Sequence, residues 1–326
     1  MPELPEVETV RLGLDQVTID KTIKGGEVLL ARSIAYPFSV AEFLEGLTNT
    51  QLQQWQRRGK YLLGKLVNSQ QQPQGWLGVH LRMTGQLLWF DRGVTQASSP
   101  EFSQASTQKS PESSQIPNQE SSQTPIHKHT RVRLFFADNQ ELRFVDQRTF
   151  GKMWWVPPGL EPSEIIAGLR SMGAEPLEPE FTVDYLAARL HKRQRVIKTA
   201  LLDQNIVAGI GNIYADEALF LSGIMPDTSC AALTLPQITK LRDAIVQVLE
   251  TSLQHGGTTF SDFLNVQGIN GNYGGVAKVY NRTGQPCKVC QTPIERIKLG
   301  GRSTHFAPNV KGILMDNFNN NQESSS

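Results

Sequence analysis

The residues best suited to chemistry stand at the start of the chain. Met1-Pro2-Glu3-Leu4-Pro5-Glu6 puts a proline at position 2, where loss of Met1, which a small second residue permits, makes it the amino terminus. A free terminal proline is a secondary amine with a pKa of about 8, so an appreciable fraction is uncharged and nucleophilic at neutral pH. Attack of such an amine on a sugar C1′ gives an iminium directly, and Glu3 beside it is placed to shuttle protons. The same hexapeptide also reads as an ordinary helix start, a proline followed by acids, and on its chemistry alone both readings stand.

Two further motifs carry chemical meaning. Gly209-Ile-Gly-Asn212 lacks the third glycine of a dinucleotide fingerprint and the lysine of a P-loop. Its glycines end one helix and Asn212 starts another, leaving backbone N–H groups and a side-chain amide that suit a phosphate; a tight helix–helix turn with an N-cap fits equally. Cys287-Lys-Val-Cys290 is the only close cysteine pair, and with Cys230 the three thiols make no disulfide framework. They fit a reducing compartment or a small metal site around the CxxC pair.

Charge adds a hint of the partner. The formal net charge is only +1, from 32 basic and 31 acidic side chains. The charges are segregated, however: 57–65 holds four basic residues and no acid, 189–198 five and no acid, and 278–311 seven against Glu295 alone. Any one run is satisfied by a solvated face, but three in one chain point to a polyanion, because local field and counterion release depend on where charges lie.

The elements that must position these residues follow from periodicity. A length of 326 residues suggests about two domains, and 39% hydrophobic with 19% charged residues exclude a disordered or collagen-like chain. Val7, Val10, Leu14 and Val17 recur at helical spacing, with Glu6 and Glu8 where a helix dipole favours acids. From about 26 to 156, seven short apolar or alternating runs predict an antiparallel sandwich or barrel. Within it, 22 of the 32 residues from 95 to 126 are Ser, Thr, Gln or Pro, predicting a disordered loop between two strands. Helical periodicity dominates from 163 to about 256, in Val183–Leu190, Val196–Leu202, Asn212–Leu221 and Leu235–Leu253. A glycine-rich stretch and a short basic module follow, then a polar tail from 316 to 326. No run reaches the eighteen or so apolar residues of a membrane span, and the start is unlike a secretory signal, so a cytoplasmic, nucleoid-associated protein is expected.

At this point the chain resembles a known family. Pro2-Glu3-Leu4-Pro5-Glu6-Val7-Glu8-Thr9 matches the amino terminus of bacterial formamidopyrimidine-DNA glycosylases, which excise oxidised purines such as 8-oxoguanine and then nick the abasic strand. The match continues through Arg57–Leu63, His80–Gly85, Asp146–Gly151, Gly209–Glu217 and Gln254–Thr259, and omits only the Ser/Gln loop and the tail.

The resemblance implies roles. Pro2 is the Schiff-base nucleophile, Glu3 the acid/base, and Lys60 the lysine that contacts the lesion and assists elimination. Arg302 contacts phosphate and assists the second elimination. Met83, Arg148 and Phe150 fill the gap left by an extruded nucleotide, as the cost of unstacking a base requires; read singly, Met83 and Phe150 are core residues. His129 lies near backbone phosphate, Asn212 grips the lesion phosphate, and Lys198 neighbours it on the same strand. The lesion-covering loop falls near 266–276. No metal or nucleotide enters the reaction, because the electrophile is the sugar.

The terminal module departs from the pattern. Cys287 and Cys290 are present, but Ala307 and Val310 stand where the family's second CxxC pair completes a structural zinc site. Two thiolates do not make a four-coordinate shell, and His305 falls two residues away from the missing ligand position, so no stable zinc site is expected. The implied fold is α+β. A helix and β-sandwich domain occupies 1–160, a helix-two-turn-helix domain 161–260, and the lesion loop with a zinc-finger-like hairpin 261–315. The implied partner is damaged double-stranded DNA, bound by a monomer. The alternatives are the sister glycosylases of oxidised pyrimidines, and a damage-binding protein without turnover.

Overall fold

A computed structural model describes residues 1–91, 126–137, 139–191, 193–258, 265–269 and 271–309. Helix α1 (Leu4–Thr18) has Pro5 in its first turn, where a missing N–H costs nothing. Its buried stripe divides between two cores. Leu4 belongs to the core of the helical domain, whereas Val7, Val10 and Leu14 belong to the sandwich. One helix therefore ties the chain's start to both.

The sandwich contains β1 (Ile23–Val28), β2 (Ile34–Tyr36), α2 (Val40–Leu47), β3 (Gln51–Arg58), β4 (Tyr61–Val67), β5 (Pro73–His80), β6 (Gly85–Asp91), β7 (Thr130–Phe136), β8 (Gln140–Asp146) and β9 (Lys152–Val156). They form a four-stranded sheet, β1-β7-β8-β6, and a five-stranded sheet, β2-β9-β5-β4-β3, which share one apolar core, while Tyr61, Leu63, Trp154 and Val156 of the second sheet form another with Ile166. The expected antiparallel pairing holds except at β2, which runs parallel to β9. Periodicity also passes over β3, whose sequence QLQQWQRR is mostly polar. It is held by two inward side chains, Leu52 and Trp55, and by the Trp55 N–H donating to the Asp15 carboxylate at 3.0 Å and its indole N–H to Thr18 Oγ1 at 2.9 Å. The Ser/Gln segment lies outside the described residues up to 125; the strands before and after it, β6 and β7, both pair with β8 in one sheet.

The helical domain follows with α3 (Pro162–Ile165), α4 (Val183–Leu190), α5 (Ile197–Leu201), α6 (Asn212–Ser222) and α7 (Leu235–Gln254). Helix α6 is its central element, buried from Ile213 to Phe220 and stopped by Gly223 at φ 69°. It is buried on all sides, its acids Asp216 and Glu217 included. The chain then forms the antiparallel hairpin β10 (Glu295–Leu299) and β11 (Arg302–Phe306) over a small cluster of Phe220, Val279, Cys287, Ile294 and Ala307. The tail 316–326 lies outside the described residues. Among those described, no helix is long and apolar enough to cross a membrane.

The divided core makes Leu4 worth more than its size. Leu4→Ala is expected to lower the unfolding free energy by about 2–5 kcal/mol. Leu12→Ala, on the exposed side of the same helix at 48% exposure, should change it by less than about 0.5 kcal/mol. Urea unfolding followed by circular dichroism checks both.

Candidate active site

The amino terminus is seated where the two domains meet. The Leu4 N–H donates to the Gly209 carbonyl at 3.0 Å. The buried Glu3 carboxylate accepts the backbone N–H groups of Gly211 at 2.8 Å, Ile213 at 3.0 Å and Tyr214 at 3.4 Å. These are unsatisfied donors at the positive end of α6, where a carboxylate is favoured. Gly211 makes the approach possible, since a Cβ there would lie 2.4 Å from the Glu3 Cδ. This corrects the expectation that the Gly-Ile-Gly-Asn turn offers its free N–H groups to a phosphate: the protein's own carboxylate holds them.

Glu6 is enclosed beside it. Its carboxyl accepts the Glu3 N–H at 2.7 Å, the Tyr214 hydroxyl at 2.5 Å and the Thr258 N–H at 2.9 Å. Burial first, and the neighbouring Glu3 charge second, push it up to about 7. Helical spacing places Glu6 where the dipole favours an acid; the structure also buries it, at 0% exposure, and at the third helical position its side chain reaches back to the Glu3 N–H.

A cleft of about 630 Å³ opens in front of Glu3. Of the residues singled out from sequence, Glu3, Lys60, Met83, Phe150, Asn212 and Arg302 line it, with Met1 at its edge. Pro2 is buried between Met1 and Glu3. Lys60 follows the turn glycine Gly59 (φ 56°), and burial lowers its ammonium pKa, opposed by attraction to Glu3 and Glu6. Its basic neighbours are otherwise engaged: Arg57 pairs with Glu8 and Glu175, and Arg58 with Glu175 at 2.8 Å. That run therefore presents one cation to the cleft and uses two to hold the helical domain. Arg82 also lines the cleft, at φ 55°. Sequence reasoning singles out Met83 and not Arg82, whose only signal is its place within His80–Gly85.

The rim residues are positioned by one buried acid. Asp146 Oδ1 accepts the Thr84 hydroxyl at 2.5 Å and Oδ2 the Gly151 N–H at 2.7 Å, while Thr84 Oγ1 accepts the Arg148 N–H at 2.9 Å. The turn after Met83 and the turn containing Arg148 and Phe150 are thereby locked side by side. Phe150 is 51% exposed, unlike the core residue it resembles when read singly, and the Arg148 guanidinium lies 5.2 Å from its ring centroid. His129 does not line the cleft; its Nδ1 lies 3.1 Å from the Arg131 guanidinium.

Lys198 is placed differently from its expected role. It is fully buried, ion-paired with Asp216, and donates to the Asn212 carbonyl at 2.9 Å. Its ammonium is consumed inside the protein, so it orients the α6 start instead of meeting a phosphate directly. Cys287 and Cys290 lie together under the hairpin, but Ala307, 1% exposed, fills the place opposite them with a methyl group. Among the described residues no cluster of three or more His, Cys, Asp or Glu could hold a metal, so the donor set does not fit a four-ligand zinc. Position 310 and part of the lesion-loop region, 259–264 and 270, lie outside the described residues.

A sandwich whose amino terminus is seated on a helical module, over a cationic cleft with an aromatic and a guanidinium at the rim, is the architecture of a two-domain DNA glycosylase. The formamidopyrimidine-DNA glycosylase N-terminal domain matches residues 1–153, its H2TH domain 172–263, and the zinc finger found in FPG and IleRS 284–309. Formamidopyrimidine-DNA glycosylases of Nostoc sp. and Nostoc punctiforme are 59% and 60% identical, over 94% of this chain and 98% and 94% of theirs. The Fpg protein of Lactococcus lactis in complex with abasic-site DNA is 29% identical with a TM-score of 0.76, covering 95% of this chain and 99% of that one. The chain belongs to the formamidopyrimidine-DNA glycosylase family.

The elevated Glu6 carboxyl makes stability depend on pH. Between the ordinary 4.5 and about 7 the folded chain binds a proton that the unfolded chain releases. Its contribution is therefore full below about pH 4.5 and is lost as the pH rises through 7, a change of about 3 kcal/mol. Glu6→Gln should flatten this slope, as read from urea midpoints between pH 5 and 8 relative to the parent protein.

Proposed function

We propose that this protein removes oxidised purines from double-stranded DNA and cuts the strand at the resulting abasic site, in base excision repair within the cytoplasmic nucleoid. The observation that carries the reading is the convergence of Glu3, Lys60 and Arg302 on one cleft beside the buried start of the chain. Once Met1 is removed, the Pro2 nitrogen attacks C1′ of a nucleotide swung out of the helix. The glycosidic bond breaks, the base leaves with a proton, and the sugar ring opens to an iminium. Glu3 moves protons in ring opening and afterwards, from a position fixed by the start of α6.

Lys60 suits the same work. A buried ammonium with a lowered pKa gives up its proton more readily than a surface lysine. Loss of a C2′ proton expels the 3′ phosphate; a second elimination, assisted by Arg302, expels the 5′ phosphate and leaves a one-nucleotide gap. Met83 and Phe150 enter the vacated stack while Arg148 donates to the orphaned base, which offsets part of the few kcal/mol that extrusion costs. The basic surface and His129 serve the phosphate backbone, and Asn212, oriented by Lys198, the lesion phosphate.

Four measurements test the reading. Intact mass should show Pro2 as the first residue, and borohydride should trap a covalent adduct with 8-oxoguanine duplex that Pro2→Gly abolishes. Tight lesion binding without any adduct would instead indicate a damage-binding protein. Glu3→Gln should lower the single-turnover rate by about 10²–10⁴. A panel of oxidised purine and pyrimidine duplexes should show the purines cut faster.

A further inference from the structure

The terminal hairpin carries Arg302 into the cleft, yet its sequence lacks half of the thiolates that would pin such a hairpin to a metal. We infer that the side of helix α6 anchors it instead, through Asp216 and Glu217, and that Asp216 is a positioning residue for Arg302.

The contacts are specific and buried. Asp216 Oδ2 accepts both the His305 N–H at 3.0 Å and its ring Nδ1 at 3.1 Å, while Oδ1 is held by the Lys198 ammonium. Asp216, Lys198 and His305 are 1%, 0% and 6% exposed. The next residue, Glu217, accepts three consecutive backbone N–H groups, those of Lys278, Val279 and Tyr280, each at 2.8 Å, where the chain leads into the module. At the head of the same helix, the Asn212 amide donates to the Ser303 carbonyl at 2.9 Å. Charge-assisted bonds in a dry interior are the strong ones. Tyr280 adds an edge contact to the His305 ring at 4.9 Å.

The metal position, by contrast, is built as a small core. Cys287 is fully buried among Phe220, Val279, Ile294 and Ala307, and the Cys290 thiol lies 2.8 Å from the Thr292 hydroxyl. His305, the one nitrogen ligand the sequence offers nearby, has turned its Nδ1 to Asp216. The hairpin is thus fixed to the helix by polar contacts in which the thiols take no part. Arg302 opens that strand, three residues before His305, so freedom at His305 is freedom at the guanidinium.

The link to activity rests on the function proposed above; the anchoring itself does not, and the two are read separately. Full-length protein is analysed for zinc, for amide exchange along β11, and for cleavage of a duplex carrying an abasic site. The expected result is far less than one zinc per chain, with EDTA leaving exchange and cleavage unchanged. His305→Ala should speed exchange of the Ser303 to Phe306 amides by about ten- to a hundredfold while leaving β4 unaffected. It should also shift the products from double toward single elimination, with no recovery on adding zinc. Asp216→Asn, which preserves volume, is read in the same way should the alanine variant not fold. One zinc per chain whose removal loosens β11, or unchanged β11 exchange in the folded variants, would overturn the inference. Loosened β11 amides in the variant, with no cleavage by the parent protein, would leave the anchor standing and refute the proposed function.

Discussion

The structure depends on a carboxylate meeting the start of a helix. Glu3 accepts three backbone N–H groups around the first turn of α6, and so fixes the first residues of the chain relative to the helical domain. A helix start left unsatisfied in an interior is costly, and so is a buried carboxylate without donors; each cancels the other's penalty. Much else follows from this contact. Residues 1–3 have a defined direction into the cleft, Gly211 has no space for a side chain, and α6 is oriented so that its side meets the terminal hairpin.

Around that contact the site balances opposite charges in little water. The Glu3 charge disfavours ionisation of the enclosed Glu6, and both acids attract Lys60. Arg82 and Arg302 oppose the Lys60 charge from the other side. A lysine between acids and arginines, largely removed from solvent, exchanges protons more easily than one on a surface. Arg57 and Arg58 show the complementary use of charge, closing on Glu8 and Glu175 to hold the β3–β4 turn against the helical domain.

How much of this was legible varies by the physics involved. Helices α4, α6 and α7 follow from periodicity to within about a residue, since their apolar spacing is what buries them. Strand β3 and helix α2 did not: β3 exposes glutamines along one face and rests on Trp55, and α2 is only eight residues long. Six of the proposed site residues face one cleft, because their order along the chain is tied to turns at the same end of the sandwich and to the start of α6. A basic run does not say which cation is turned inward, which hides the burial of Lys198, and a first-turn acid carries no local sign of the burial that Glu6 shows. The Asp216–His305 contact joins residues 89 apart, beyond the reach of local pattern.

The seat of the amino terminus also bears on synthesis. Gly211 is made 208 residues later than Glu3. At ordinary elongation speeds that is an interval of about 10–40 s in which residues 2–4 have no helical domain to seat them. Completion of the helical domain then withdraws Pro2 and Glu3, so this segment is exposed early and buried afterwards by the fold alone.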